Sequence, residues 1–105
     1  MKWIIHKHML QPSTLLHLAK SATILSAQAQ GEYIYLWEMH DPSDDSREKR
    51  AFIIKPTGEE FENPPEGYVL KYVSTVQMAK RNTISSEISF LQWHVFEVAR
   101  VVMLT

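Results

Sequence analysis

The fold class is decided by residues 23–40, which read TILSAQAQGEYIYLWEMH. On both sides of Gly31, every second side chain is apolar or aromatic over much of the stretch. A two-residue period that is rich in aromatic and β-branched side chains is typical of β-strands. Gly31 tolerates positive φ, so Gln30-Gly31-Glu32 predicts a hairpin turn. Residues 23–40 therefore predict two antiparallel strands joined by a tight connection.

The same alternation recurs along most of the chain. Further strands are predicted for residues 2–8, 51–54, 70–78 and 90–102. Residues 13–20 are ambiguous, because Leu16 and Leu18 fit a strand whereas Ser13, as a cap, fits a short helical turn. We favour the strand, since the neighbouring segments alternate, and keep a helical turn near residues 13–20 as the alternative.

Polar and proline-containing segments separate the predicted strands. Residues 42–49 and residues 59–67 predict exposed loops, the second because it contains Pro64 and Pro65. Residues 79–83 break the alternation before the last strand. Strict alternation also assigns faces within strands: one face takes Leu25, Ala27 and Ala29, and another takes Leu70, Tyr72, Ser74, Val76 and Met78.

These elements predict one architecture for the whole chain. With 105 residues, the chain has the size of a single domain, so residues 1–105 are expected to form one β domain. Seven short strands with loops between them predict an all-β, mainly antiparallel fold, either a small sandwich or a barrel. The apolar residues of 99–105 either continue the last strand into the core or cover a partner subunit.

Composition excludes several classes of function. The 11 Lys and Arg residues nearly balance the 12 Asp and Glu residues, giving a net charge of −1. Such a balance disfavours broad nucleic-acid binding and binding to an anionic membrane. The absence of cysteine excludes disulfides, thiolate metal sites and thiol catalysis. Since no signal peptide or membrane-spanning stretch is apparent, we expect a cytoplasmic protein.

One segment combines cationic side chains with a turn that offers free backbone amides. It runs from Arg50 to Gly58 and could meet an anionic group of a ligand. We assign seven residues to ligand binding: Arg50, Lys55, Thr57, Gly58, Trp37, Trp93 and His94. In this assignment an aromatic side chain stacks on a base. The competing interpretation places all three tryptophans, Trp3 included, in the core or at its margin.

A second group of residues has the chemistry of metal ligands. His6 and His8 lie two residues apart on a predicted strand, so both imidazoles leave the same face and form half of a metal site. The other donors would be His40, His94 and Glu97. The competing interpretation is a pair of half-exposed histidines on an edge strand. Because we favour this competing interpretation, we expect no bound metal and no cofactor.

The order of short motifs resembles a family of small, uncharacterised phage and prophage proteins. The matching residues are Trp3, Ile24-Leu25, Gln28, Gln30, Leu36-Trp37, Asp41-Pro42, Arg50, Phe52, Ile54, Thr57-Gly58, Tyr72, Thr75-Val76-Gln77 and Trp93-His94-Val95-Phe96-Glu97. The chain departs from the family where Glu59 follows the Thr57-Gly58 turn, because the family usually has His there. The resemblance implies a phage or prophage origin and a mostly β fold, and it implies no activity.

These observations favour binding over catalysis. No nucleophile elbow or phosphate-cradling glycine loop is present in the sequence. We therefore expect a non-enzymatic phage accessory protein that neutralises a factor of the bacterial host. Its target would be a protein, such as an immune nuclease, or a nucleotide signal. The alternatives are a self-associating assembly module, in keeping with an expected homo-oligomer, and, third, a metal-dependent hydrolase that uses His6 and His8.

Overall fold

A computed structural model describes residues 2–81 and 88–101. Within these residues the chain forms seven strands and no helix. The strands are β1 (Ile4–Leu10), β2 (Ser13–Leu18), β3 (Thr23–Gln30), β4 (Tyr33–His40), β5 (Glu48–Pro56), β6 (Tyr68–Arg81) and β7 (Ile88–Arg100). The predicted all-β class is confirmed, and the ambiguous segment is the strand β2. No helix of the described residues has the length and apolarity needed to cross a membrane.

The strands form two antiparallel sheets. A three-stranded sheet has the order β1-β4-β3, and a four-stranded sheet has the order β2-β5-β7-β6. Of the two architectures left open by the sequence, the two-layered sandwich is the one observed. The β3–β4 hairpin turns at Gly31, whose φ is 63°, as its position between the two alternating runs predicts.

The core lies between the inner faces of the two sheets. Leu36 of β4, Phe52 of β5 and Val95 of β7 are each 0% exposed. The buried cluster is completed by Leu10, Ala27, Ile34 and Val76. Burying each large side chain of this kind stabilises the fold by about 1.5–3 kcal/mol relative to exposure. The core thus joins six of the seven strands, from both sheets.

Two β-bulges correct the predicted side-chain faces. The register of β3 against β4 shifts between Ile24 and Ser26, so Leu25 is 46% exposed although Ala27 is buried. The register of β6 against β7 shifts between Tyr72 and Ser74. Strict alternation was wrong at both places, because one extra residue in a strand moves everything after it to the other face.

Two strands are longer than the sequence pattern predicts. β5 begins at Glu48, inside the predicted loop 42–49, because its first residues pair with Leu18 and His17 of β2. β6 continues through Arg81, where residues 79–83 were expected to break the pattern, because it pairs with the start of β7. The predictions for residues 82–83 and for 102–105 fall outside the described residues.

Candidate functional site

Four polar residues lie together on the inner face of the three-stranded sheet. The edge strand β1 contributes His6 and His8, and the central strand β4 contributes Glu38 and His40. The register pairs His6 directly with Glu38. Because alternate residues of a strand share a face, His8 and His40 point to the same side as this pair. We call these four residues the histidine–glutamate cluster.

The Glu38 carboxylate is the centre of this cluster. Its Oε1 lies 3.8 Å from His6 Nδ1, 3.2 Å from His8 Nε2 and 3.1 Å from His40 Nδ1. Its Oε2 lies 2.9 Å from His40 Nδ1. The His6 and His40 rings meet edge to face, with centroids 4.9 Å apart. Three imidazoles therefore surround one carboxylate group.

The cluster reaches from the protein interior to solvent. The side chain of Glu38 is 1% exposed, that of His40 12% and that of His6 49%. Burial acts to raise the pKa of the Glu38 carboxyl, and the hydrogen bonds with His40 and His8 outweigh it, so this pKa lies below its ordinary value. The carboxylate is thus held in its charged form, with an open approach past His6.

The donor set of the cluster is that of a metal centre. Ring nitrogens of His6 and His40 and a carboxylate oxygen of Glu38 all lie within 4.8 Å of one another. Of the donors predicted from sequence, His40 joins His6 and His8, whereas His94 and Glu97 lie on the other sheet. Sequence reasoning missed Glu38. The sequence feature that could have identified Glu38 is its position as a carboxylate on the same strand face as the apolar residues Ile34 and Leu36.

Arg50, the leading candidate for an anionic ligand, is engaged inside the protein. Its guanidinium donates from Nε to Glu97 Oε2 at 2.6 Å and from Nη2 to Glu97 Oε1 at 2.8 Å. Its Nη1 donates to the Ala22 carbonyl at 2.8 Å. The hydrogen bond to Glu97 raises the pKa of Arg50 above its ordinary value. All three guanidinium nitrogens donate to partners within the protein, and the bidentate pair with Glu97 links β5 to β7.

Four other predicted residues do come together, on the outer face of the four-stranded sheet. Lys55 pairs with His94 across β5 and β7. Thr57, next to Gly58, places its Oγ1 2.7 Å from His94 Nε2. The other ring nitrogen of His94 lies 3.1 Å from Thr75 Oγ1. Thr57, Thr75 and His94 thus form a hydrogen-bonded polar group on the outer face, which we call the Thr57–His94 group. Neither Arg50 nor a tryptophan belongs to it.

The three tryptophans occupy different environments. Trp93 packs against the core cluster, as predicted. Trp37 is half-buried on the outer face of the three-stranded sheet, beside Tyr35, with the ring centroids 6.3 Å apart. Trp3 is 51% exposed, so its predicted place in the core or at its margin was wrong. Trp93 faces the core whereas its neighbour His94 is on the outer face, and Trp37 belongs to the other sheet. The seven assigned residues therefore do not share one face.

A family model described as a domain of unknown function, DUF7352, matches residues 1–103. The chain belongs to this family. Comparisons with curated proteins and with solved structures return no match. The DUF7352 match extends over both sheets, so every candidate site lies within the family domain. Because the family description states no activity, function has to be argued from the sites themselves.

An apolar, partly exposed surface of this DUF7352 domain lies on the outer faces of β1 and β4 in the three-stranded sheet. We call it the aromatic face. It comprises Ile5, Lys7, Met9, Tyr33, Tyr35, Trp37 and Met39. Ile5, Met9 and Tyr33 are each about half exposed. Within the described residues of β1 and β4, Lys7 is the charged residue on this face, and its Nζ lies 4.7 Å from the Tyr35 ring centroid.

Proposed function

We propose that this DUF7352 protein is a non-enzymatic binding protein that captures a protein of the bacterial host through its aromatic face. The observation that carries the proposal is the composition of that face. Tyrosine, tryptophan and methionine are enriched at the centres of protein interfaces, whereas charged residues are depleted there. Tyr35, Trp37 and Met39 follow this pattern on a surface of a chain that is 22% charged overall.

The architecture of the three-stranded sheet supports the same proposal. Tyr35 and Trp37 lie on the central strand β4, whose inner residues Leu36 and Ile34 are buried in the core. Anchors on a rigid, hydrogen-bonded strand lose little conformational entropy when a partner binds. The aromatic face also includes residues of β1, an edge strand whose outer backbone groups are open to pairing in the described sheet.

A protein partner is favoured over a nucleotide signal. The guanidinium of Arg50 is occupied by Glu97, which removes the phosphate-binding group that the nucleotide hypothesis relies on. Lys55 is followed by a loop that contains Glu59, Glu60 and Glu62, whose negative charge opposes an anionic ligand. Near-neutral net charge and an apolar face instead suit a protein surface.

The biological role we propose is that of a phage or prophage accessory protein that neutralises its host partner, for example a defence protein. The family resemblance carried by Trp3, the Leu36-Trp37 and Asp41-Pro42 pairs and residues 93–97 supports a phage origin. A single small domain that binds by surface contact needs no catalytic group to block a larger protein.

A matched pair of surface variants tests the proposal. Ile5 on β1 and Leu15 on β2 are 56% and 54% exposed, and both lie on edge strands, one in each sheet. We expect Ile5→Glu to weaken retention of the host partner from a bacterial lysate at least about tenfold, because it buries a charge in the interface core. We expect Leu15→Glu to retain the partner. Melting temperatures of both variants confirm that they fold.

Two outcomes would contradict the proposal. If Ile5→Glu and Leu15→Glu retain the partner equally, the aromatic face is not the contact surface. If sedimentation shows that wild-type protein is a dimer and Ile5→Glu a monomer, the face joins two copies of the chain. In that case the self-associating assembly module replaces the host-partner hypothesis.

A further inference from the structure

We propose that the histidine–glutamate cluster is a binding site for a divalent transition-metal ion of the Zn²⁺ class. Donor atoms of His6, His40 and Glu38 already lie within 4.8 Å of one another. His8, whose Nε2 lies 3.2 Å from Glu38 Oε1, is the fourth ligand and would join them by a rotation of its side chain. This site is independent of the aromatic face, because its side chains lie on the opposite face of the same sheet. The proposal therefore stands or falls separately from the proposed partner binding.

The distances within the cluster fit a tetrahedral ion. Ligand atoms about 2.0–2.1 Å from Zn²⁺ lie about 3.4 Å from one another at tetrahedral angles. The distances from Glu38 Oε1 to the three ring nitrogens, 3.8, 3.2 and 3.1 Å, bracket that value. Closing the remaining distances needs movement of the His6 and His8 side chains, which are 49% and 26% exposed. The backbone pairing of β1 with β4 already brings the four side chains to one face.

The chemistry of the donors favours a transition ion over Mg²⁺ or Ca²⁺. Three imidazoles and one carboxylate suit Zn²⁺, Ni²⁺, Co²⁺ or Cu²⁺, whereas the hard cations prefer an all-oxygen shell. A dication would also neutralise Glu38, whose carboxylate is buried at 1% exposure. Among the described residues, the groups within 4.0 Å of that carboxylate that can carry positive charge are the three histidines.

With His8 as the fourth ligand, the ion would be structural. Four protein ligands fill a tetrahedral shell, whereas catalytic zinc keeps one position for water or substrate. The ion would join the edge strand β1 to the central strand β4 through side chains, in addition to their backbone pairing. Its expected effect is to fix β1 against the sandwich.

The test uses Co²⁺ and Zn²⁺ on the full chain after treatment with a chelator. The chain holds five histidines, of which His17 and His94 lie outside the cluster and provide a matched control. We expect Co²⁺ to give the intense visible absorption of a four-coordinate ion in the wild type and in His17→Ala/His94→Ala. We expect His6→Ala/His8→Ala to weaken Zn²⁺ binding at least about 100-fold, since it removes two ligands.

Thermal unfolding supplies an independent measurement. Zn²⁺ at about 100 times its Kd is expected to raise the Tm of the wild type by at least about 5 °C. Glu38→Gln keeps the side-chain shape and should abolish most of that rise. The proposal is overturned if Co²⁺ shows only the spectrum of the hydrated ion. It is equally overturned if the control pair loses binding as strongly as His6→Ala/His8→Ala.

Discussion

Two buried glutamates occupy corresponding places in the two sheets and have different partners. Glu38 lies on the inner face of β4, the central strand of one sheet, and Glu97 lies on the inner face of β7, an interior strand of the other. Both carboxylate oxygens of Glu97 accept hydrogen bonds from one guanidinium, that of Arg50. Glu38 is surrounded by the imidazoles of three histidines from two strands.

The difference separates a buried charge that is fully paired from the one that we propose as part of a metal site. The Arg50 fork is planar, permanently charged and matched to both oxygens of Glu97, so this pair is complete as it stands. The histidines around Glu38 are separate side chains, and each ring nitrogen that contacts the carboxylate can bind a metal ion instead. The Arg50–Glu97 pair links β5 to β7, and the histidine–glutamate cluster is the centre that we propose binds an ion.

The largest effect is expected from opening the Arg50–Glu97 pair. Arg50→Met leaves the Glu97 carboxylate buried without a cation, and we expect a loss of about 3–5 kcal/mol in the free energy of unfolding. Urea unfolding followed by tryptophan fluorescence measures it. The double variant Arg50→Met/Glu97→Leu should be less destabilised than Arg50→Met alone, because no charge remains to be compensated. A double variant that is as unstable as the sum of the two single variants would contradict this account.

A smaller effect is expected at Glu38 in the presence of a chelator. Glu38→Gln keeps an oxygen that accepts hydrogen bonds from the histidines, so we expect a loss of about 1–2 kcal/mol in the free energy of unfolding. Glu97→Gln, the same change at the other centre, should cost at least about 1 kcal/mol more, because it leaves the permanent charge of the largely buried Arg50 guanidinium without its counter-charge. Equal losses in the free energy of unfolding for Glu38→Gln and Glu97→Gln would contradict the view that only Glu97 balances a permanent buried charge.

Alternation was sufficient to predict the fold and insufficient to place every side chain. The period of two in residues 23–40 identified β3, β4 and the turn at Gly31. It failed at the bulges beside Leu25 and Val73, because nothing in a local pattern marks where one strand gains a residue relative to its neighbour. Bulges are properties of strand pairs, and pairing is non-local.

The candidate sites show the same limit. His6 and His8 were recognised from their spacing, whereas Glu38 acquires its role only from the register of β1 against β4, which the sequence does not state. Arg50 was assigned to an anionic ligand because it shares a segment with Lys55 and the Thr57-Gly58 turn. Its partner Glu97 lies 47 residues away in sequence, so no local pattern reveals the pair. A lone charged residue in an apolar strand is therefore best interpreted as half of a pair whose other half is unknown.

The smallest effect concerns a third carboxylate, in the surface loop between β4 and β5. Hydrogen bonds from Ser46 and from Ser21 lower the pKa of the Asp44 carboxyl below its usual value of 3.8. Since the folded state holds the charged form, this stabilisation is present well above pH 3.8 and declines as the pH falls below it. We expect Asp44→Asn to lower the Tm by a few degrees at pH 6 and by less at pH 3. Asp45→Asn is the control, and a Tm difference for Asp44→Asn that stays constant between these pH values would contradict the assignment.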